Sequence, residues 1–201
     1  MRTKPDPQTA AFGIDIGKKV FHVVALNAAG SVIQRAKFSR DTLLAFFDAA
    51  PNALISMEAC PGSQWLARRL ATMGHDARII PAHFVKPYVK WNKTDTVDAA
   101  AIAEAVTRPT MCFVEVRTPE QIDLRALHRI RDRLVGQRTA LINQARAFCL
   151  EYGLAMRVGA GGFHADIRRH LSNVENDLTP AMRVLLEELL DDLAYIEGHD
   201  R

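Results

Sequence analysis

The stretch "FGIDIGKKVFHVVALNAAGSVIQRAKFS" holds three short runs of β-type residues, parted by Gly17-Lys18-Lys19 and by Ala29-Gly30. Runs of this length, joined so tightly, predict three strands in an antiparallel meander. One residue breaks the pattern. Asp15 stands in the middle of the first apolar run, where a carboxylate is costly unless something compensates its desolvation.

Beyond the meander the period changes. "RDTLLAFFDAA" predicts a short helix, "ALISMEA" a buried strand, "GSQWLARRLATMG" an amphipathic helix closed by Gly74, and "HDARIIPA" another strand. Helix and strand now alternate, which predicts parallel pairing. "HFVKPYVKWNKTD" is a basic, aromatic connector, and "TDTVDAAAIAEAVTR" is an alanine-rich helix with Thr94 or Thr96 as its cap. "MCFVEVRTP" reads as a short strand or extended link. From Pro119 a long helix runs to about Tyr152, where Gly153 stops it. Leu127, Leu134, Leu141 and Phe148 recur every seven residues along it, with Ile130, Ile142 and Ala145 beside them, the seam of a long and self-pairing helix. "VGAGGFHAD" reads as a glycine loop and "TPAMRVLLEELLDDLAYIEGHD" as a final acidic amphipathic helix.

Three antiparallel strands, then helix, strand, helix, strand, helix, is the order of the ribonuclease H-like fold. The expectation is therefore an α/β domain over residues 1–118, with a mixed five-stranded sheet and flanking helices. A coiled-coil-like helical extension over 119–201 would serve nucleic-acid binding and oligomerisation.

Composition narrows the class. The 201 residues are 48% hydrophobic and 24% charged, enough apolar material for a core. No apolar run approaches the roughly 20 residues of a membrane span, and "MRTKPDPQTAAFG" lacks the apolar stretch of a signal peptide. No membrane partner is expected. Cys60, Cys112 and Cys149 are far apart with no CxxC spacing, and read as reduced cytosolic thiols. Net charge is +3, unevenly spread. Residues 121–170 hold nine arginines against four acids, whereas residues 171–201 hold two arginines against eight acids. Such asymmetry suggests a polyanion-binding element followed by an acidic one, or else two solvated helix faces.

The carboxylates carry the chemistry. In this topology the middle of the first strand, the end of the fourth and the last helix of the domain converge at one edge. Those places hold Asp15, Glu58 and the pair Asp95/Asp98, the pair three apart and so on one helix face. Four carboxylates near one point repel one another unless a cation sits among them. An oxygen-rich set without cysteine and poor in histidine suits Mg²⁺, or Mn²⁺ as a substitute. Two such ions about 3.5–4 Å apart can activate a nucleophile and stabilise a leaving oxygen in phosphodiester chemistry. Each residue also has a plainer use: Asp15 capping the Gly17 turn, Glu58 pairing with Arg68 or Arg69, and Asp95 as a helix N-cap.

Two basic regions are candidate nucleic-acid contacts. Arg125, Arg129 and Arg133 stand at i, i+4 and i+8, a like-charge row that disfavours an isolated helix unless phosphates neutralise it. Arg131 and Arg138 flank the leucine seam. Lys86, Lys90 and Lys93 surround Tyr88 and Trp91, whose rings could stack on bases. The alternative for that patch is a partly buried loop with lysines extended to water.

"GIDIGKKVFHVVALN", "MEACPGSQWLARRL" and "NKTDTVDAAAIAEA" resemble the three acidic motifs of the insertion sequence 110 family of transposases, relatives of the Piv-type DNA invertases. "RTPEQIDLRALHRIRDRLVGQRTALINQARAFCLEYGL" resembles that family's arginine-rich helical segment. The order and spacing of the four stretches make the likeness specific, and it spans nearly the whole chain. The resemblance implies a RuvC-like domain whose Asp-Glu-Asp-Asp set is Asp15, Glu58, Asp95 and Asp98. It also implies a Mg²⁺-dependent recombinase that recognises donor and target DNA through a structured guide (bridge) RNA; the leucine seam adds a homo-oligomer, and the expected location is the bacterial cytoplasm, at the nucleoid. Family members continue into a second domain that supplies a nucleophilic serine. Ser31, Ser39, Ser56, Ser63 and Ser172 match no such motif, so the resemblance casts this chain as the N-terminal part of a longer protein.

Two competing classes remain. "GIDIGKK" also resembles the phosphate-binding turn of actin-like ATPases and sugar kinases, although "VGAGG" lies in the wrong place for an adenosine site and Asp98 is left without a role. A catalytically incomplete nucleic-acid-binding fragment is the other.

Overall fold

A computed structural model of the chain describes residues 4–89 and 95–199. Two compact units are present, Met1–Thr118 and Pro119–Arg201.

The first unit is built on one five-stranded sheet. Strands β1 (Ala11–Ile16), β2 (Phe21–Leu26) and β3 (Val32–Phe38) form the antiparallel meander. Strand β4 (Leu54–Glu58) pairs parallel with β1, and β5 (Asp76–Ile80) parallel with β4, in the order β3-β2-β1-β4-β5. Each parallel step needs a crossover. Helix α1 (Arg40–Asp48) precedes β4 and α2 (Ser63–Thr72) precedes β5. A capping box starts α1, with the Ser39 hydroxyl accepting from the Thr42 amide and Thr42 answering the Ser39 amide.

Strand period sorts the side chains onto two faces. Phe12, Ile14, Phe21, Val23, Ile55, Met57 and Ile79 form one core with Leu43, Phe46 and Phe47 of α1 and Leu66, Ala67 and Leu70 of α2. The opposite face is thinner. Val24 and Leu26 pack on Ala99 and Ala103 of α4 (Asp95–Ala105), and Ala11 and Ile80 pack near Ile102 and Ala105. The alanine-rich composition of α4 lets it lie close, and Gly13 makes the approach closer still. A Cβ at Gly13 would stand 2.2 Å from the Ala99 carbonyl oxygen and 2.4 Å from the Ala103 nitrogen. Helix α4 is described from Asp95, so Thr96 lies inside it and is not its cap; Thr94 lies outside the described residues.

Between β5 and α4 come a single helical turn, α3 (Ala82–Val85), and a 3-10 turn over Lys86–Tyr88. The stretch after α4 is an extended link rather than a full strand. Val114 makes an isolated antiparallel bridge to Ile79, while Gln64 donates to the Glu115 carbonyl and accepts from the Arg117 amide.

The second unit is helical. Helix α5 (Pro119–Leu150) is followed by α6 (Ala160–Ser172) and α7 (Pro180–His199). Gly153, at φ +69°, ends the chain's run out of α5. The buried face of α5 is Ile142, Ala145 and Cys149, packed with Phe163, Ile167, Leu178, Leu186 and Leu193. The predicted glycine loop is a correction: Gly161 and Gly162 lie in the first turn of α6. A side chain at Gly162 would press on Arg157, with Cβ atoms 2.9 Å apart, so glycine there serves close packing rather than a turn. Asp166 of α6 is buried; it accepts from the Arg157 amide (2.8 Å) and the Arg157 guanidinium (2.9 Å), and it forms an ion pair with Arg169 at 3.2 Å. Hydrogen bonds from Arg157 are the main reason its pKa is lowered to about 2. Among the described residues, no helix is long and apolar enough to cross a membrane.

Candidate functional site

Four predicted residues gather at one end of the sheet, and the local sequence explains how. The Gly17 amide donates to the Val20 carbonyl, closing the β1–β2 turn. A Cβ on Gly17 would meet that carbonyl oxygen at 2.4 Å, so the turn requires glycine. Counting back from the turn pairs Ile16 with Phe21 and Asp15 with His22. On the other side of β1, Ile14 is in register with Met57 of the parallel β4, which brings Asp15 and Glu58 to one level at the carboxyl ends of both strands. Ser56 then fixes α4 over this end. Its hydroxyl lies 3.0 Å from both the Phe12 and Ile102 carbonyl oxygens, one on β1 and one on α4. The first turn of α4 carries Asp95 and Asp98.

The electrostatics follow from that crowding. Burial raises the pKa of Asp15 above the ordinary carboxylate range, and the charges of Asp95, Asp98 and Glu58 push it the same way against the opposing pull of His22. Burial, then Glu58 and Asp15, likewise raise the Cys60 thiol. Among the described residues no lysine or arginine pairs with any of the four carboxylates. Arg68, a possible partner of Glu58 by sequence, donates instead to the Arg117 carbonyl at 2.8 Å. The nearest positive-capable group is His22, whose Nδ1 lies 3.5 Å from Asp95 Oδ2 and 3.9 Å from Asp15 Oδ2. Asp15, His22 and Asp95 each offer a ligand atom within 4.8 Å of the others.

This donor set fits a divalent ion. Hard carboxylate oxygens without a cationic partner and a buried, unsatisfied imidazole nitrogen both find a partner in a metal. His22 was missed in the sequence, where it reads as one more position in an apolar strand. The signal was present in the hairpin register, because a turn closed at Gly17 and Val20 puts residue 22 opposite residue 15.

The basic residues separate into several environments. Arg125, Arg129, Arg131 and Arg133 are exposed along the first half of α5, Arg133 touching Gln137 at 3.2 Å. Arg138 is half-buried and donates to Glu197 of α7 at 2.9 Å, with His164 on the same carboxylate at 3.0 Å. Lys86 is exposed on the 3-10 turn. The ring of Tyr88 lies under Arg108, 5.6 Å from guanidinium to centroid, so one of its faces is already covered. Lys90, Trp91 and Lys93 lie outside the described residues.

The five-stranded sheet and its carboxylate cluster lie in Met1–Thr118, and the arginine-rich helices lie in Pro119–Arg201. The family model of IS110 DEDD transposases, described as "Transposase", matches residues 12–153. The chain belongs to the IS110 family of transposases. It is 38% identical over 192 residues to the transposase for insertion sequence element IS1328 of Yersinia enterocolitica, covering 94% of this chain and 56% of that protein. With the transposase for IS1111A of Coxiella burnetii it shares 41% identity over 181 residues, 90% of this chain and 50% of that one. The chain therefore spans about half the length of the curated relatives it matches.

Proposed function

We propose that this chain is the RuvC-like, ribonuclease H-like part of a transposase that cleaves and rejoins DNA phosphodiesters for a bacterial insertion sequence. The observation that carries the proposal is the meeting of Asp15, Glu58, Asp95 and Asp98 at one sheet edge, with no lysine or arginine paired to them among the described residues. Family membership favours this over the ATPase or kinase reading. In the proposal, Asp15, Glu58, Asp95 and Asp98 hold Mg²⁺, or Mn²⁺ in its place. The bound metal supplies activation of the attacking oxygen and stabilisation of the leaving one. The chain's own residues hold and aim the carboxylates: Gly13 and Ser56 fix α4, and burial keeps Asp15 poorly solvated, so that its charge favours a cation.

The division of labour follows the two units. Met1–Thr118 would carry the chemistry, while Pro119–Arg201 would bind a structured guide RNA and self-associate in the manner of a coiled coil. Exposed arginines at 125, 129, 131 and 133 support the first role, with Arg138 as a further contact in that unit, and Lys86, Lys90, Trp91 and Lys93 of Met1–Thr118 would add nucleic-acid contacts from the other unit. Exposed Leu124, Leu127 and Ile130 support the second. Such work on DNA belongs in the bacterial cytoplasm, at the nucleoid. Titration calorimetry of the chain with Mn²⁺ tests the central claim. Binding at micromolar to millimolar metal, lost in Asp15→Asn, is expected; no heat at millimolar metal and neutral pH would overturn it.

A further inference from the structure

Two histidines are buried in the first unit, and the fold uses them differently. His75 is satisfied at both nitrogens. Its Nδ1 accepts from the Ala53 amide at 3.3 Å, and its Nε2 lies 2.9 Å from the Phe47 carbonyl oxygen. His22 is similarly enclosed, at 7% exposure, yet its Nδ1 is shielded from solvent and has no hydrogen-bond partner among the described residues. Orphaned buried nitrogens are costly and rare. Nothing in the hairpin requires a histidine at this register. Val24 and Leu26, farther along the same face of β2, pack on α4 with purely apolar contacts.

What the orphaned nitrogen faces is the carboxylate cluster. Asp95 Oδ2 is 3.5 Å away and Asp15 Oδ2 is 3.9 Å away. An octahedral ion with bonds of about 2.1 Å holds neighbouring ligands about 3.0 Å apart and opposite ones about 4.2 Å apart. Both separations lie between the two values, so each oxygen reaches an adjacent position by closing less than about 1 Å. A neutral imidazole would also add a ligand without adding to the negative charge already crowded there.

We propose that His22 is itself a metal ligand through Nδ1, completing a mixed nitrogen–oxygen set with Asp15 and Asp95 that favours Mn²⁺ over Mg²⁺. The inference rests on the metal reading above and deepens it. Imidazole nitrogen suits first-row transition metals, whereas Mg²⁺ takes oxygen and water. Removing the nitrogen should therefore weaken Mn²⁺ far more than Mg²⁺.

Pulsed electron paramagnetic resonance on the 201-residue chain with one equivalent of Mn²⁺ reads the ligand directly, through the coupling of a ¹⁴N nucleus to the electron spin. The coupling is expected in the parent and absent in His22→Gln. Calorimetry on the same pair should show Mn²⁺ affinity falling about tenfold or more, and Mg²⁺ affinity changing by about twofold or less. Bound Mn²⁺ without nitrogen coupling in the parent would overturn the ligand while leaving the metal site standing. Coupling that persists in His22→Gln would place the nitrogen elsewhere and overturn it too. No Mn²⁺ binding at all would remove the metal reading and this inference with it. Should His22→Gln fail to fold, His22→Asn serves the same comparison.

Discussion

Gly13 and Ala99 are in backbone contact: a single added carbon on Gly13 would lie 2.2 Å from the Ala99 carbonyl oxygen. The second obstacle, the Ala103 nitrogen at 2.4 Å, is also backbone, so no side chain can rotate away. Gly13→Ala must therefore lift α4 from β1, and α4 carries Asp95 and Asp98. Overpacking of this kind costs about 1–3 kcal/mol. Melting followed by circular dichroism should show the loss, and Mn²⁺ affinity should fall although no carboxylate has changed. Unchanged melting and metal binding would mean that α4 is not held by this contact.

Asp15 makes a pH prediction with a definite sign. Its pKa is raised in the folded chain, chiefly by burial and then by Asp95 and Asp98, from an ordinary value of 3.8. The folded state then holds the proton more tightly than the unfolded one. Below pH 3.8 both states are protonated and the group contributes no penalty. As pH rises from there through the raised folded value, metal-free stability is lost, and the loss persists at neutral pH. Asp15→Asn removes it. Metal-free Asp15→Asn should melt higher than the parent at pH 7, by an amount that shrinks as the pH is lowered towards 3.8. Saturating Mn²⁺ should stabilise the parent more than the variant and reverse the order. A lower melting temperature for the metal-free variant would mean that the carboxylate makes a structural bond.

Asp166 runs the other way. Its pKa is lowered to about 2, first by hydrogen bonds from Arg157. Its stabilisation is present above about pH 3.8 and is lost as pH falls towards 2. Asp166→Asn should lower the melting temperature of the helical unit at pH 7 while changing it little at pH 2. A pH-independent difference would assign the effect to packing instead of charge.

How much of this could be read from the chain alone depended on whether a signal was local. The meander was legible because Phe12, Ile14, Val23 and Ala25 alternate onto one core face with period two. Asp15 and Glu58 stood out because each interrupts or ends an apolar run. His22 did not, since its significance lies in pairing with Asp15 across the turn, a relation between strands. Helix α6 was hidden for a different reason. Gly161 and Gly162 have low helix propensity, but burial of Phe163 and Ile167 and the Asp166–Arg157 bond override it. Of the seven-residue seam, Ile142 and Ala145 are buried beside Cys149, and Leu141 and Phe148 pack at the margin of that core, whereas Leu127 and Ile130 are exposed.

The amino-terminal half of α5 supplies the prediction on assembly. Leu127 is 61% exposed and Ile130 50% exposed, with no core of their own unit over them. Covering such side chains with a second copy would bury apolar surface at about 25 cal/mol per Å². Leu127→Asp should thus shift the mass measured by light scattering from dimer or higher to monomer, without altering the melting temperature of the monomer. A parent that is monomeric at high concentration would mean that the seam meets no second copy.

The arginine row makes the last prediction. Arg125, Arg129 and Arg133 repeat every four residues and are exposed, so all three present to one stripe of α5. Polyanion binding through such a stripe proceeds by release of counterions. Log affinity then falls linearly with log salt, by about 0.7 to 0.9 for each phosphate neutralised. Replacing all three by Gln should flatten the slope for a structured RNA by about two to three units if each touches a phosphate. Asp15→Asn should leave the slope nearly unchanged, because Asp15 is not among the residues proposed to touch phosphates. Arg138→Gln offers a useful contrast. Its guanidinium already bonds Glu197, so losing it should lower the stability of the helical unit and change the slope by less than one unit. Filter binding across a salt series separates these outcomes. Equal slopes for the parent and the triple variant would show that the row is a solvated helix face and that RNA, if bound, is held elsewhere.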